Sequence, residues 1–530
     1  MTDLDTTTVR DRPGARAGVG RAGLRSAVKH FVSAFVVLCA LGGSWAVASP
    51  LMAVPDEPAH TIHAVAVAHG QILGERTADG GWTEVDVPAY VAETYDLRCY
   101  AFNAAVSAEC QTAVSDDDSA TEATTSAGSY DPLYYAIVGL PSLVFDGEIG
   151  LYAMRAMSVG LSAALLSLAF VALMQLRARS FAVVGLVTAV TPMVLFLMGG
   201  INPNGMEITA AVMLFAWLTL LRQRIDEGVP PHRVAFVAVA AVAVANTRSI
   251  GLLWLLVIVV ATMIDEELWL RLVRSVAFWI AAGAIGLGVA FSVLWTISTQ
   301  SLSVTVPNPG VGTSFPVAFK EMMFVTFENV QGYVGLLGWL DTPLPPTTVG
   351  IWGAIMLVLV VGGLVAGRRR EQVALGVLAL AFVLVPAVVQ GYGAKDYGFI
   401  WQARYVLALV APLIVAGGVA LDSAFPRAFA NLRVRVLAIV ALVTISLMQV
   451  HAVLFNLKRY VVGLTDGWSK MIVDPEWLPP LGWAPWAIVV AATCAVTVVA
   501  AMRAARPATE DGSSPTERRR PPVDGIAGPL

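Results

Sequence analysis

Apolar residues run through this chain in blocks of membrane length, near 31–50, 150–176, 180–200, 207–221, 234–246, 249–264, 275–298, 349–367, 372–390, 405–421, 435–455 and 485–502. Blocks of this length predict helices that cross a bilayer, where each backbone N–H must find its partner inside its own segment. The pattern therefore predicts an all-α polytopic membrane protein, a bundle of about 12 transmembrane helices with a large first extracytoplasmic loop. Between 234 and 264 two readings stay open, because Asn246, Thr247 and Arg248 interrupt what is otherwise one long helix: two short spans, or one.

The polar connections alternate in charge. Arg10, Arg12, Arg16, Arg21, Arg25 and Lys29 precede the first block. Basic pairs or triplets then recur at alternate loops: Arg177 and Arg179, Arg222 and Arg224, Arg271 and Arg274, Arg368 to Arg370, Arg427, Arg433 and Arg435, Arg503 and Arg506. Cytoplasmic loops carry the Lys/Arg excess, so both termini are expected in the cytoplasm and the chain in the inner (plasma) membrane as a multi-pass protein. Two short spans in 234–264 keep this parity, and one breaks it. The expected organisation is a basic, disordered N-terminal segment 1–29, a membrane domain 30–503 that includes an outer loop 50–149, and a disordered cytoplasmic tail 504–530 rich in Pro, Arg, Glu and Ser. Ala46, Val47 and Ala48 leave a cleaved signal peptide open as an alternative for the first block.

Composition sharpens this in two places. With 57% hydrophobic and 14% charged residues, the chain is too apolar for a water-soluble fold, and its expected solvent is the lipid bilayer. The 34 Lys+Arg nearly cancel the 38 Asp+Glu, which gives no sign of a nucleic-acid partner. Among the four cysteines no spacing suggests structural zinc. Cys39 and Cys494 lie inside apolar blocks, and Cys99 and Cys110 share one loop, as a disulfide or as two free thiols.

Candidate chemistry gathers at the expected outer ends. Pro55, Asp56, Glu57, Pro58, Ala59 and His60 follow the first block directly. Pro58 favours a first helical turn, which puts Asp56 and Glu57 at the positive end of a helix, where a carboxylate stays charged and serves as a general base; a solvated helix cap is the plainer alternative. His60 and His63 share a face with Glu57, so a divalent cation is an option there, though histidines at an interface more often meet water and headgroups. The metal is left unknown. Asp116 to Asp118 read as a solvated loop, with chelation of a divalent cation the alternative; Tyr130 to Tyr135, Tyr134 among them, open a second helix whose aromatics suit the interface or an acceptor cleft; and Glu207 starts the fourth block beside Asn202 and Asn204. Arg248, Lys395, Arg404, Lys458 and Arg459 are cations on the expected outer side, against the usual bias, and suit a lipid phosphate. Phe315, Phe319, Met322, Met323, Phe324 and Phe327 mark an amphipathic piece expected in the interface.

A first span followed by a carboxylate pair, a large first outer loop, and a late Gln402, Ala403, Arg404, Tyr405 run entering an apolar helix resemble the type C membrane glycosyltransferases (GT-C). Within that superfamily the chain is most similar to the DUF2142 family of predicted bacterial membrane proteins, on Pro55 to His60, Asp131 to Tyr135, Asn202 to Glu207 and Gln402 to Tyr405, where the family often has Gly at position 403. The resemblance implies transfer of a sugar from a polyprenyl-phosphate carrier to an envelope glycan, lipid or protein acceptor on the outer face. It implies Asp56 as base with Glu57 its neighbour, and Arg248 and Arg404 as phosphate ligands. His60, Tyr134, Glu207, Lys395 and Tyr405 complete the candidate substrate site. A lipid or sugar transporter or flippase without bond chemistry is the alternative, and a noncatalytic envelope scaffold a third.

Overall fold

The computed structural model describes residues 13–78, 81–301 and 308–505. Among them, nine helices are long and apolar enough to cross a membrane. We label the helices used below α1 (Pro13–Ala48), α2 (Glu57–Ala68), α3 (Pro132–Val138), α4 (Gly147–Met174), α5 (Ser180–Ala189), α6 (Pro192–Gly199), α7 (Pro203–Gln223), α8 (Pro231–Ala245), α9 (Gly251–Met263), α10 (Val276–Ser298), α11 (Phe315–Glu328), α12 (Pro346–Ala366), α13 (Arg369–Tyr397), α14 (Leu407–Ala424), α15 (Leu432–Val462) and α16 (Trp483–Ala504). All twelve apolar blocks are helical. The block 180–200 is the pair α5 and α6, bent by 58°. The bend has a local cause: Thr191 caps α6 by accepting the Val194 N–H at 3.2 Å, and Pro192 follows in the first turn, where its missing N–H costs nothing. The open stretch 234–264 is two short helices, α8 and α9, with Arg248 in the turn between them. Helix α1 begins at Pro13, so the basic N-terminal segment is helical from there, whereas residues 1–12 and most of the expected tail, 506–530, lie outside the described residues.

Burial separates the helices into an inner and an outer set. The central stretch of α7 is wholly buried and that of α14 nearly so, whereas α10, α12 and α16 turn most of their surface outward, as helices facing lipid tails do. Small residues bring the central helices close. A Cβ on Gly418 of α14 would stand 2.3 Å from the Phe181 carbonyl oxygen of α5, so only glycine permits this approach. Asp422 then accepts the Phe181 and Ala182 N–H groups at 3.0 and 2.9 Å, which satisfies the first turn of α5.

The basic loops meet at one end of the bundle. Arg177 pairs with Asp226 at 2.6 Å, Arg222 with Glu371, and Arg370 with Asp265 at 3.0 Å, which ties four successive loops together. At the opposite end lies the first loop. It holds a three-stranded antiparallel sheet, β1 (Glu75–Arg76), β2 (Thr83–Pro88) and β3 (Ala120–Thr125), in that order, with Val85 paired to Ala123. Val85 and Val87 alternate inward, and Thr125 donates to the Ala59 carbonyl at 2.7 Å, which seats the sheet on α2. Cys99 and Cys110 are disulfide-bonded. Helix α11 exposes Phe324 and Phe327, in keeping with an interfacial position.

Candidate functional site

The site is built on the turn from α1 into α2. Glu57 starts α2 with no exposed surface, and its carboxylate is fully engaged. Arg155 of α4 donates from Nε to Oε1 and from Nη2 to Oε2, both at 2.7 Å, as a two-pronged pair. The Ile201 N–H adds a bond to Oε1 at 3.1 Å and the Val54 N–H one to Oε2 at 3.2 Å. The rest of the guanidinium donates to the carbonyls of Ala46 (2.7 Å), Ser49 (3.0 Å) and Pro50 (2.8 Å). An ion pair buried this completely holds only when every donor and acceptor is matched, as here. It closes the end of α1 and fixes where the preceding residue points.

That residue is Asp56, at φ 63° and ψ 9°, a left-handed backbone that side chains other than glycine, asparagine and aspartate rarely adopt. The strain is of order 1 to 2 kcal/mol and is held by the clasp beside it. Asp56 stands at the N-cap of α2 yet makes no capping bond with its side chain, so the solvated-cap reading does not hold. Its carboxylate, 46% exposed, instead accepts from Nη2 of Arg404 at 2.5 Å, and Arg404 itself is buried. Burial works against charge on Asp56, but Arg404, by charge and hydrogen bond, and Arg248 outweigh it and hold the carboxyl below the usual carboxylate range. Asp56 is therefore ionised at neutral pH.

Arg248 approaches from the turn between α8 and α9. It donates to the Asn204 side-chain oxygen at 2.8 Å and stands 3.8 Å from Glu207. Its guanidinium lies 4.4 Å from the centre of the Tyr405 ring and 5.8 Å from that of Tyr130, while Arg404 lies 5.4 Å from Tyr405 on the same ring. Tyr405 thus spaces two cations, a contact that favours both. Asn202 fastens this wall by donating to the Pro55 carbonyl at 3.0 Å and accepting the Asn204 N–H at 3.0 Å.

The remaining candidates divide. His60 bonds through Nδ1 to the Tyr135 hydroxyl at 2.9 Å. Burial, helped by Arg404 and Arg248 and opposed by Asp56, pushes it down to about 3, so its ring is neutral. His63 packs edge-on against the Tyr135 ring at 4.3 Å, and burial takes it down to about 4. Glu207 is wholly buried, with Arg248 its nearest cation. Tyr134 is buried and shares a hydrogen bond of 3.0 Å with Ser158, inside the packing between α3 and α4. Lys395 lies exposed at the end of α13 and makes no ion pair among the described residues. Lys458 and Arg459 serve the loop: Lys458 donates to the Leu464 carbonyl at 2.8 Å, and Arg459 to the carbonyls of Tyr100, Asn103 and Val106. Among the described residues no group of three His, Cys, Asp or Glu is placed to hold a metal ion. The Glu57, His60, His63 set in particular lacks the Glu57 oxygens, which Arg155 and two N–H groups occupy.

Sequence reasoning missed Arg155 and the anchoring role of Asn202, whereas Tyr130, whose ring sits 5.6 Å from His60, belongs to the aromatic segment the sequence had marked. For Arg155 a signal existed: a lone arginine inside the apolar block 150–176 requires a buried partner.

Comparison with known proteins places the chain in a family. The family model described as "Predicted membrane protein (DUF2142)" matches residues 39–414, and the chain belongs to that family. No curated protein matches the chain. Among solved structures it is similar to ArnT from Cupriavidus metallidurans bound to undecaprenyl phosphate, at 15% identity and a TM-score of 0.46, over 90% of this chain and 76% of that one. The apo state of the same protein gives 14% identity and a TM-score of 0.45, over 90% and 77%.

Proposed function

We propose that this DUF2142 protein is a membrane glycosyltransferase that moves a sugar from a polyprenyl-phosphate carrier to an envelope acceptor at the outer face. The observation that carries the reading is the convergence of an ionised, half-exposed carboxylate, Asp56, with two guanidinium groups, Arg404 and Arg248, about one tyrosine ring. They meet at the end of the bundle opposite the basic loops. The motifs that resemble type C glycosyltransferases supply the same residues.

In this reading the carrier phosphate docks on Arg404 and Arg248, which bind its oxygens through paired hydrogen bonds. Asp56 takes the proton of an acceptor hydroxyl as that oxygen bonds to the anomeric carbon. The bond from the anomeric carbon to the phosphate oxygen breaks, and its electron pair leaves with the phosphate. Negative charge grows on that phosphate in the transition state, where fixed cations contribute most. Attack from the face opposite the leaving group inverts the anomeric centre. Glu57, whose oxygens are engaged, positions Asp56 and takes no proton. Sugar and acceptor stay open.

The test is single-turnover incubation of the purified protein in nanodiscs with a radiolabelled polyprenyl-phosphate sugar and a cell-envelope fraction. Carrier phosphate released together with label in the acceptor supports the enzyme. Passage of the intact lipid between leaflets, with the sugar bond unbroken, assigns the protein to a flippase instead.

A further inference from the structure

A cavity of about 970 Å³ lies between α1, α4, α5, α15 and α16, and neither Asp56 nor Arg248, Arg404 or Tyr405 lines it. Its walls are apolar, and Val32 and Val36 of α1 stand exposed along its rim. Three cations, Lys29, Arg179 and Arg503, gather at one end, and no carboxylate lines it among the described residues. Arg179 is anchored by bonds to the carbonyls of Ala504 (3.1 Å) and Met174 (2.8 Å). Lys29 and Arg503 are exposed and make no ion pair among the described residues. The deep end is closed by Leu41, Leu195 and Trp352.

Length identifies the occupant. From Lys29 to Leu41 along α1 is about 18 Å at the helical rise of 1.5 Å per residue. That matches one hydrocarbon leaflet, roughly 15 Å deep. A polyprenyl carrier of many isoprene units overruns such a groove, whereas the acyl chains of a membrane phospholipid fill it. The cations sit where the headgroup of such a lipid would lie and carry the sign a phosphate needs. We propose that this groove is a binding site for one anionic glycerophospholipid, drawn from the leaflet next to the basic loops.

The site is separate from the proposed sugar chemistry and stands without it. The experiment is native mass spectrometry of the full chain in micelles doped with equal phosphatidylglycerol and phosphatidylcholine, beside melting temperatures in each lipid. Retention of one phosphatidylglycerol, with a higher melting temperature in that lipid alone, is the expected result. Lys29→Gln combined with Arg503→Gln, at exposed positions that fold does not need, should lower retention roughly ten- to thirty-fold. Ala34→Trp, placed in the wall, should abolish it. Equal retention of the two lipids, equal retention by the charge variant, or displacement of phosphatidylglycerol by equimolar undecaprenyl phosphate would each overturn the assignment.

Discussion

Two neighbouring carboxylates, Asp56 and Glu57, meet opposite surroundings, and the contrast separates support from chemistry. Glu57 has no exposed surface and spends both oxygens on Arg155 and two backbone N–H groups. Asp56, one residue earlier, keeps half its side chain open and shares its arginine with nothing else acidic among the described residues. A saturated pair can fix geometry but has no valence left for a substrate. An open pair, with a buried cation behind it, can accept a proton on one side while its arginine takes a phosphate on the other.

Asp56→Asn tests the open pair most severely. Transfer should fall by roughly 10²- to 10⁴-fold in single turnover, with membrane insertion unchanged and the melting temperature lowered only by the loss of the pair with Arg404. Asparagine tolerates the left-handed backbone, so the comparison isolates the charge. Arg155→Met strikes the saturated pair instead: stability should drop by about 3 to 5 kcal/mol, read as loss of folded protein in detergent, because Glu57 is left buried and unpaired. If that variant folds normally but loses transfer, the division between the two acids is wrong.

Arg404→Gln sharpens the electrostatics. In the native protein the Asp56 carboxyl titrates below the ordinary value near ~3.9, so activity should be flat above about pH 5. The stabilisation from the pair is present above that ordinary value and lost as pH falls through the lower, folded one. Without Arg404, burial dominates, and the acid limb of kcat/KM should move upward. Arg248→Gln is the mildest change, with donor binding roughly tenfold weaker and the acid limb moving less, since Arg248 acts on Asp56 from farther away.

Much of this was legible in the linear chain. Membrane helices advertise themselves by apolar length, so every block reappears as helix, including the bent pair and the two short helices around Arg248. Asp56, Arg248 and Arg404 stood out because each is a charge at a block's edge. The different fates of Asp56 and Glu57 were not legible. They depend on a left-handed turn and on an arginine about a hundred positions away, and no local pattern encodes either. Tyr134 shows a related limit: an aromatic near the interface suits a cleft or a core equally from sequence, and in the structure it is buried with a bond to Ser158.

Arg459 holds the loop closed by the Cys99–Cys110 bond, yet it lies 353 positions beyond Val106. A ribosome adding about 5 to 20 residues per second takes roughly 20 to 70 s to travel that distance. During that interval the stretch from Tyr100 to Val106 lacks its fastening to α15. The covalent staple keeps it compact while it waits, so reducing conditions during biogenesis should harm the nascent chain more than they harm the finished protein.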